Sequence, residues 1–215
     1  MSPSVLSRIR SDAWRIYGNG KWSSILKGLI TNRSFKPLVT LRLCQSVARA
    51  AVPFRQIVLP VFAIGHRLAR HYSGMDLPWQ TEIGLGFSIQ HGWGAVINSR
   101  AKIGNNVTLY HGVTIGQADR IASDGSRSTG YPVIEDEVWI GPHVIIVGGI
   151  TVGEGSRIAG GAFVTHDIPA FSLVSGNPAM VVRQITTSDV RNPYPLGTRV
   201  SQHHQSIPRK RMNQL

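Results

Sequence analysis

The chain has 215 residues, 42% of them apolar, with 23 Gly and a single cysteine. That is enough for one domain with a small appendage, and one cysteine excludes an intrachain disulfide or a CxxC metal or redox motif. The formal charge of +12 suits a polyanionic ligand, an anionic polysaccharide or an acidic lipid surface. Because the cations are scattered at the two ends of the chain without a recognisable binding motif, nucleic acid is not expected as a partner.

Ser2-Pro3 reads as an N-cap and a favourable first helical residue. Val5, Ile9, Ala13 and Ile16 follow at helical spacing until Gly18-Asn19-Gly20. Further helices are expected over Trp22 to Leu29, from near Pro37 to before Pro53, and from about Gln56 to Tyr72, closed by Ser73-Gly74. Cys44, beside Leu41, Leu43 and Val47, reads as a small buried hydrophobe. His66 and His71 are expected on a solvated helix face. Together these elements make a helical N-terminal region, residues 1–74, expected to cap whatever follows. No continuous apolar core accompanies Arg8, Arg10 and Arg15, so no signal peptide is read there. The apolar run Ile57 to Ile64 is broken by Pro60 and too short to span a bilayer. A cytoplasmic protein is expected, with peripheral contact at the inner membrane left open.

From near Met75 an aliphatic residue returns every six positions: Leu77, Ile83, Ile89, then Ile97, Ile103, Leu109, Ile115, then Ile134, Ile140, Ile146, Val152, Ile158, Val164. A second apolar or small residue stands four places after most of them, as in Ala101, Val107, Val113, Val138, Val144, Ile150, Ser156, Ala162 and Ile168. A period of six fits neither an amphipathic helix nor a two-sided strand. It fits a parallel β-helix, in which each hexad is one flat side and three sides close a coil. The beat slips by two residues in Gln90 to Asn98, and a slip in a regular coil often serves a site. It also vanishes between Gly116 and Ile134; the polar insert 117–132 reads as an extruded loop. The β-helix is therefore expected over 75–185, and residues 186–215, polar and basic, as a flexible tail. His203-His204 within that tail is not read as a metal site.

Three runs carry a family resemblance: Ile103-Gly104-Asn105-Asn106-Val107, Ile140-Gly141-Pro142 and Ser175-Gly176-Asn177-Pro178-Ala179. They resemble the hexapeptide-repeat acyltransferases, and within them the serine O-acetyltransferase-like branch that includes capsule and exopolysaccharide acetyltransferases. The resemblance covers roughly Met75 to Arg183. It implies that the fold, mainly β, is a left-handed parallel β-helix, a hand opposite to the usual crossover rule. It implies acetyl-CoA as acyl donor, no metal, and a homotrimer with active sites between subunits.

Moving an acyl group from a thioester to a hydroxyl needs a base near neutral pH, and His is the natural choice. The resemblance puts His91, in the slipped segment, in that role, with His111 about one coil later as a second candidate. It implies acceptor binding by Gln90, Trp93 and Tyr131. It implies coenzyme A binding along the coil by Gly141, Gly160, Gly161, Ala162, Thr165 and Arg183. Small residues there let a pantetheine chain approach the backbone.

The sequence departs from serine acetyltransferases at two places. They carry an Asp directly before the catalytic His, where this chain has Gln90. They carry a second His before Pro, where this chain has Tyr131-Pro132. The acceptor is accordingly expected to be a sugar hydroxyl of a surface polysaccharide or its precursor, with aromatics such as Trp79, Trp93, Tyr110 and Tyr131 in or near the cleft. Serine O-acetylation is the alternative. A zinc carbonic anhydrase on the same coil is disfavoured, because His91, His111, His143 and His166 include no closely spaced pair. A scaffold without catalysis is disfavoured by the presence of His91.

Overall fold

The computed structural model describes residues 3–196. Four helices come first: α1 (Val5–Tyr17), α2 (Trp22–Thr31), α3 (Phe35–Val47) and α4 (Val52–Ser73). Helix α1 begins two residues later than Ser2-Pro3 suggests. Ser4 is its N-cap, accepting a hydrogen bond from the Ser7 amide, which satisfies one of the donors a helix start leaves free. Gly18 and Gly74 end α1 and α4 in the left-handed region, the usual glycine stop. Pro60 lies inside α4 without ending it.

The strands that follow are short and arranged in three parallel sheets. One face holds β1 (Glu82–Ile83), β4 (Lys102–Ile103), β9 (Val133–Ile134) and β12 (Thr151–Val152). The second holds β2 (Ser88–Gln90), β5 (Thr108–Tyr110), β10 (Trp139–Ile140), β13 (Arg157–Ile158) and β15 (Ser172–Ser175), with β16 (Met180–Gln184) closing its edge antiparallel to β15. The third holds β3 (Val96–Ile97), β6 (Thr114–Gly116), β11 (Ile145–Val147) and β14 (Phe163–Val164). This is the expected left-handed parallel β-helix, with the chain visiting the three faces in turn. Every residue of the six-residue beat is buried, from Leu77 through Ile83 and Leu109 to Val164. In register, Ile83 lies over Ile103, Ile103 over Ile134 and Ile134 over Val152. Burying one such side chain contributes roughly 1.5–3 kcal/mol, so the column of aliphatics is the main cohesive element.

The two irregularities are where the beat puts them. Thr151 pairs with Val133, 18 residues earlier, but Lys102 pairs with Glu82, 20 residues earlier. The insert is not an irregular loop: β7 (Ala118–Ile121) and β8 (Arg127–Gly130) form an antiparallel hairpin that projects from the coil. Asp119 ties it internally, accepting from Thr129 at 2.7 Å and from Arg127 at 3.0 Å. A polar alternating strand pair has no apolar face to bury, which is why the six-residue beat is silent there.

The open end of the first coil exposes backbone groups that need partners, and the helices supply them. Arg42 from α3 donates to the carbonyls of Ile83 at 2.8 Å and Gly84 at 2.6 Å. The same guanidinium grips both carboxylate oxygens of Asp12 in α1, at 2.9 and 3.0 Å. Asp12 in turn accepts from the Phe87 amide, Ser11 accepts from Gly86, and Arg15 donates to the Gly86 carbonyl. All four side chains are buried. Burial pushes the Asp12 carboxyl upward, with Arg42 opposing the shift.

One reading of the N-terminal region changes. His66 is not solvated: it is 2% exposed, within 2.8 Å of the Thr40 hydroxyl and of the Leu77 carbonyl. It therefore links α4, α3 and the first coil. Cys44 is buried as expected, and burial raises its thiol pKa to about 11. At the other end, residues 186–196 run back beside the coil rather than away from it. Arg157 pairs with Asp189, Arg15 donates to the Arg191 carbonyl, and Asn106 exchanges two hydrogen bonds with Tyr194. Residues 197–215, with the His203-His204 pair, lie outside the described residues.

Candidate active site

The extra two residues of the first coil fall at the corner between the second and third faces. Gln90 lies level with Tyr110 in the ladder. Trp93 then lies level with His111, since the Gly112 amide donates to the Trp93 carbonyl at 2.7 Å. His91 and Gly92 are therefore the added residues. His91 itself adopts φ 54° and is exposed, an unusual backbone state for a non-glycine residue that invites a functional reading.

The helical region holds this corner in place. The Gly92 amide donates to Ser34 Oγ at 3.0 Å, and the Gly94 amide to the Gly74 carbonyl at 2.7 Å. The Trp93 ring covers Gly74, where any Cβ would sit 2.4 Å from it. The Arg33 guanidinium stacks 3.7 Å from the Trp93 ring centroid while donating through Nε to the Tyr72 carbonyl at 3.1 Å. A cation over an indole face in a partly dry setting adds an attraction of order 1 kcal/mol. Segments from α3's start and α4's end thus fix a wide corner that the repeat alone would leave loose.

Along the same edge, the successive corners carry His111 and Gly112, then Pro142 and His143, then Gly160 and Gly161; amide-to-carbonyl hydrogen bonds run from His143 to His111 and from Gly161 to Pro142. His111 and His143 meet edge to face, with ring centroids 4.9 Å apart. Among the described residues, His111 Nδ1 is buried without a hydrogen-bond partner. The sequence offers His143 only as a zinc ligand to be set aside, because the hairpin insert places it 32 positions from His111, its neighbour across one coil. Among the described residues no three His, Cys, Asp or Glu cluster as metal ligands would.

The expected site residues divide between this edge and elsewhere. His91, Trp93, His111, Gly160 and Gly161 lie on it, and Gly160 and Gly161 are exposed. Gly141 shares the corner but is buried, with its Cα face closed by the Gly160 amide and the Trp139 ring. Ala162 points into the core, and its amide and carbonyl are bonded to Ala159 and Ile145. Gln90 turns away from His91: its amide donates to Ser88 Oγ at 2.9 Å and lines a pocket of about 140 Å³ with Arg15, Tyr110 and Trp139. Tyr110 stacks on Trp139, and Trp79 packs against the core, so neither joins the corner. Tyr131 and Thr165 stand at the far edge of the third face, next to where β11 and β14 leave it. There Tyr131 accepts from Arg100 at 3.0 Å. Arg183 is exposed on β16, in a groove of about 560 Å³ shared with Arg157, Leu173 and Asp189.

Comparison with known proteins agrees with this architecture. Residues 131–166 match the family described as bacterial transferase hexapeptide (six repeats). A serine acetyltransferase of Bacillus subtilis strain 168 is 42% identical over 118 residues, which is 55% of this chain and 52% of that protein. The chain spans about half the length of the curated relatives it matches. The soybean serine acetyltransferase apoenzyme superposes with a TM-score of 0.68 at 28% identity, covering 84% of this chain and 70% of that one. A Brucella abortus serine acetyltransferase in complex with coenzyme A gives 0.67 at 24% identity, covering 84% and 68%, a likeness of fold. Residues 131–166 thus carry the hexapeptide repeats of that transferase family, on the coil described above. The curated relatives it resembles include serine acetyltransferases of Bacillus licheniformis and Bacillus subtilis.

Proposed function

We propose that the chain is an acetyl-CoA-dependent O-acetyltransferase whose general base is His91, with L-serine as the first acceptor to consider. The observation that carries the reading is the corner itself. An imidazole stands exposed on a two-residue enlargement, clamped by Ser34 and Gly74, on the same edge as the open Gly160-Gly161 corner. The 42% identical Bacillus subtilis relative, a serine acetyltransferase, supports that choice of acceptor.

In this mechanism His91 takes the proton of the acceptor hydroxyl as its oxygen attacks the thioester carbon. The tetrahedral intermediate then expels the thiolate of coenzyme A, which receives the proton from the imidazolium, giving O-acetyl product and free thiol. His111, with its unpartnered Nδ1 next to His143, lines the route from that corner toward Gly160 and Gly161. The exposed glycines leave room for a pantetheine chain to lie against the backbone. Arg183 lies off this edge, so it would meet the donor's phosphates only from a neighbouring subunit. The same holds for Tyr131, at the opposite edge of the third face. A homotrimer with sites between subunits accords with both.

One observation favours a second reading, a saccharide hydroxyl. Position 90, directly before His91, holds a neutral Gln whose amide donates to Ser88 Oγ, rather than a carboxylate that could orient the imidazole or receive an ammonium group.

Thiol release from acetyl-CoA by the purified protein, with L-serine and with a panel of oligosaccharides, separates the two. Release with serine that falls by about 10²–10⁴ in His91→Ala supports the proposal. Release with saccharides alone replaces the acceptor and keeps the base. Release that is unchanged in His91→Ala removes His91 from the mechanism.

A further inference from the structure

The N-terminal helices bury only part of their apolar surface. On α4, Phe54, Ile57, Val61, Ile64 and Leu68 repeat at alternating steps of three and four, and all are exposed, Ile57 by 75% and Leu68 by 65%. Tyr72 extends the same row at 54%. The spacing makes one continuous stripe along the helix, opposite the face that carries His66 and Ser73 into the core. On α2 the exposed residues Trp22, Leu26 and Ile30 repeat every four. A stripe of this length is more than scattered surface hydrophobes and implies a partner.

The charge around it is one-sided. Residues 1–74 hold twelve Lys or Arg and a single acid, Asp12, which is buried against Arg42. No acidic side chain of this region therefore faces outward. Arg67 borders the stripe, and Lys36 and Arg33 stand over the Tyr72 ring at 4.5 and 4.9 Å from its centroid. Arg10 stands 5.7 Å from the ring of Trp22. A second copy meeting this face would set cations against cations. A helix long and apolar enough to cross a membrane is absent among the described residues.

We propose that α4, with α2, is a docking surface for a bilayer carrying anionic headgroups, lying along the interface rather than through it. An apolar stripe enters the headgroup boundary while Arg and Lys at its borders pair with phosphates; this is the general physics of interfacial helices. The end of α4 is also what clamps the His91 corner, through Tyr72, Gly74 and Trp93. Docking would hold that corner near the lipid surface. The proposal does not depend on which hydroxyl is acylated.

Vesicle flotation of the full chain tests it. Vesicles of phosphatidylglycerol and phosphatidylcholine in equal parts should carry the protein upward, and pure phosphatidylcholine should not. Ile57→Glu with Leu68→Glu should lower the floated fraction about tenfold or more. Arg67→Glu, which leaves the stripe intact, should weaken flotation and make its loss with salt shallower, since one fewer cation is left to screen. Absence of flotation with anionic vesicles overturns the proposal, as does equal flotation with neutral ones. Light scattering supplies the remaining arm: if Ile57→Glu with Leu68→Glu changes the particle mass, the stripe is an interface between copies and the membrane reading falls.

Discussion

The first coil and the coils from β9 to β14 use the same six-residue beat but are held in different ways. The later coils repeat every 18 residues, and strand pairing with a column of Ile and Val suffices for them. The first coil takes 20, and its enlarged corner and open edge rest on groups from outside the repeat: the side chains of Arg42, Asp12 and Ser34 and the carbonyl of Gly74. Regular hexads make a stiff rod with no room for a projecting catalytic group. The site arises where the rod is interrupted and a second layer of structure corrects the interruption.

That contrast is open to direct attack. His91→Ala should cost about 10²–10⁴ in kcat on the responsive acceptor while leaving the melting temperature nearly unchanged; a large stability loss would make His91 a structural corner residue. Arg42→Ala removes one partner of a buried ion pair and frees the Ile83 and Gly84 carbonyls. Chemical denaturation should register a loss of about 3–5 kcal/mol. Ile140→Ala, in the regular part, should cost about 2–5 kcal/mol as a core cavity and leave the kinetics of the surviving folded protein close to normal. Ser34→Ala leaves the Gly92 amide without its acceptor, a loss of about 1–3 kcal/mol. Unlike Ile140→Ala it should also lower kcat, because it loosens the His91 corner; equal kcat in the two would break the comparison.

The smallest expected effect is pH-dependent. Burial depresses the His66 pKa below its ordinary value near 6.5. The unfolded chain then binds a proton that the folded chain refuses, so stability falls as pH drops below about 6.5. The fall ends once pH is below the folded-state pKa. Melting curves over that range should show the slope in the parent protein and a flatter one in His66→Gln.

Much of this was legible in the residues. Stacking in a coil demands the same aliphatic at the same phase, so Ile83, Ile103, Ile134 and Val152 announce the fold without any structure. The slip at Gln90 to Asn98 and the silence at 117–132 were visible for the same reason, as breaks in phase. What the phase could not reveal is which face a side chain shares with residues from other elements. His66 reads as one more polar position on a basic helix until Thr40 and Leu77 close around it. Gln90 stands next to His91 in sequence, yet β geometry sends the two side chains in different directions. His111 and His143 are far apart in sequence because a hairpin lies between them, and touch because that hairpin leaves the coil and returns to it.

By itself, then, the sequence determined the β-helix, its core and the two points where it is interrupted, since a six-residue period is a local property that any stretch of chain carries. The tertiary structure alone decided how the first coil is capped, which helix residues clamp the corner, and which histidines meet. Those depend on contacts between segments remote along the chain, where a single residue such as Arg42 or Ser34 acts once and leaves no period to read.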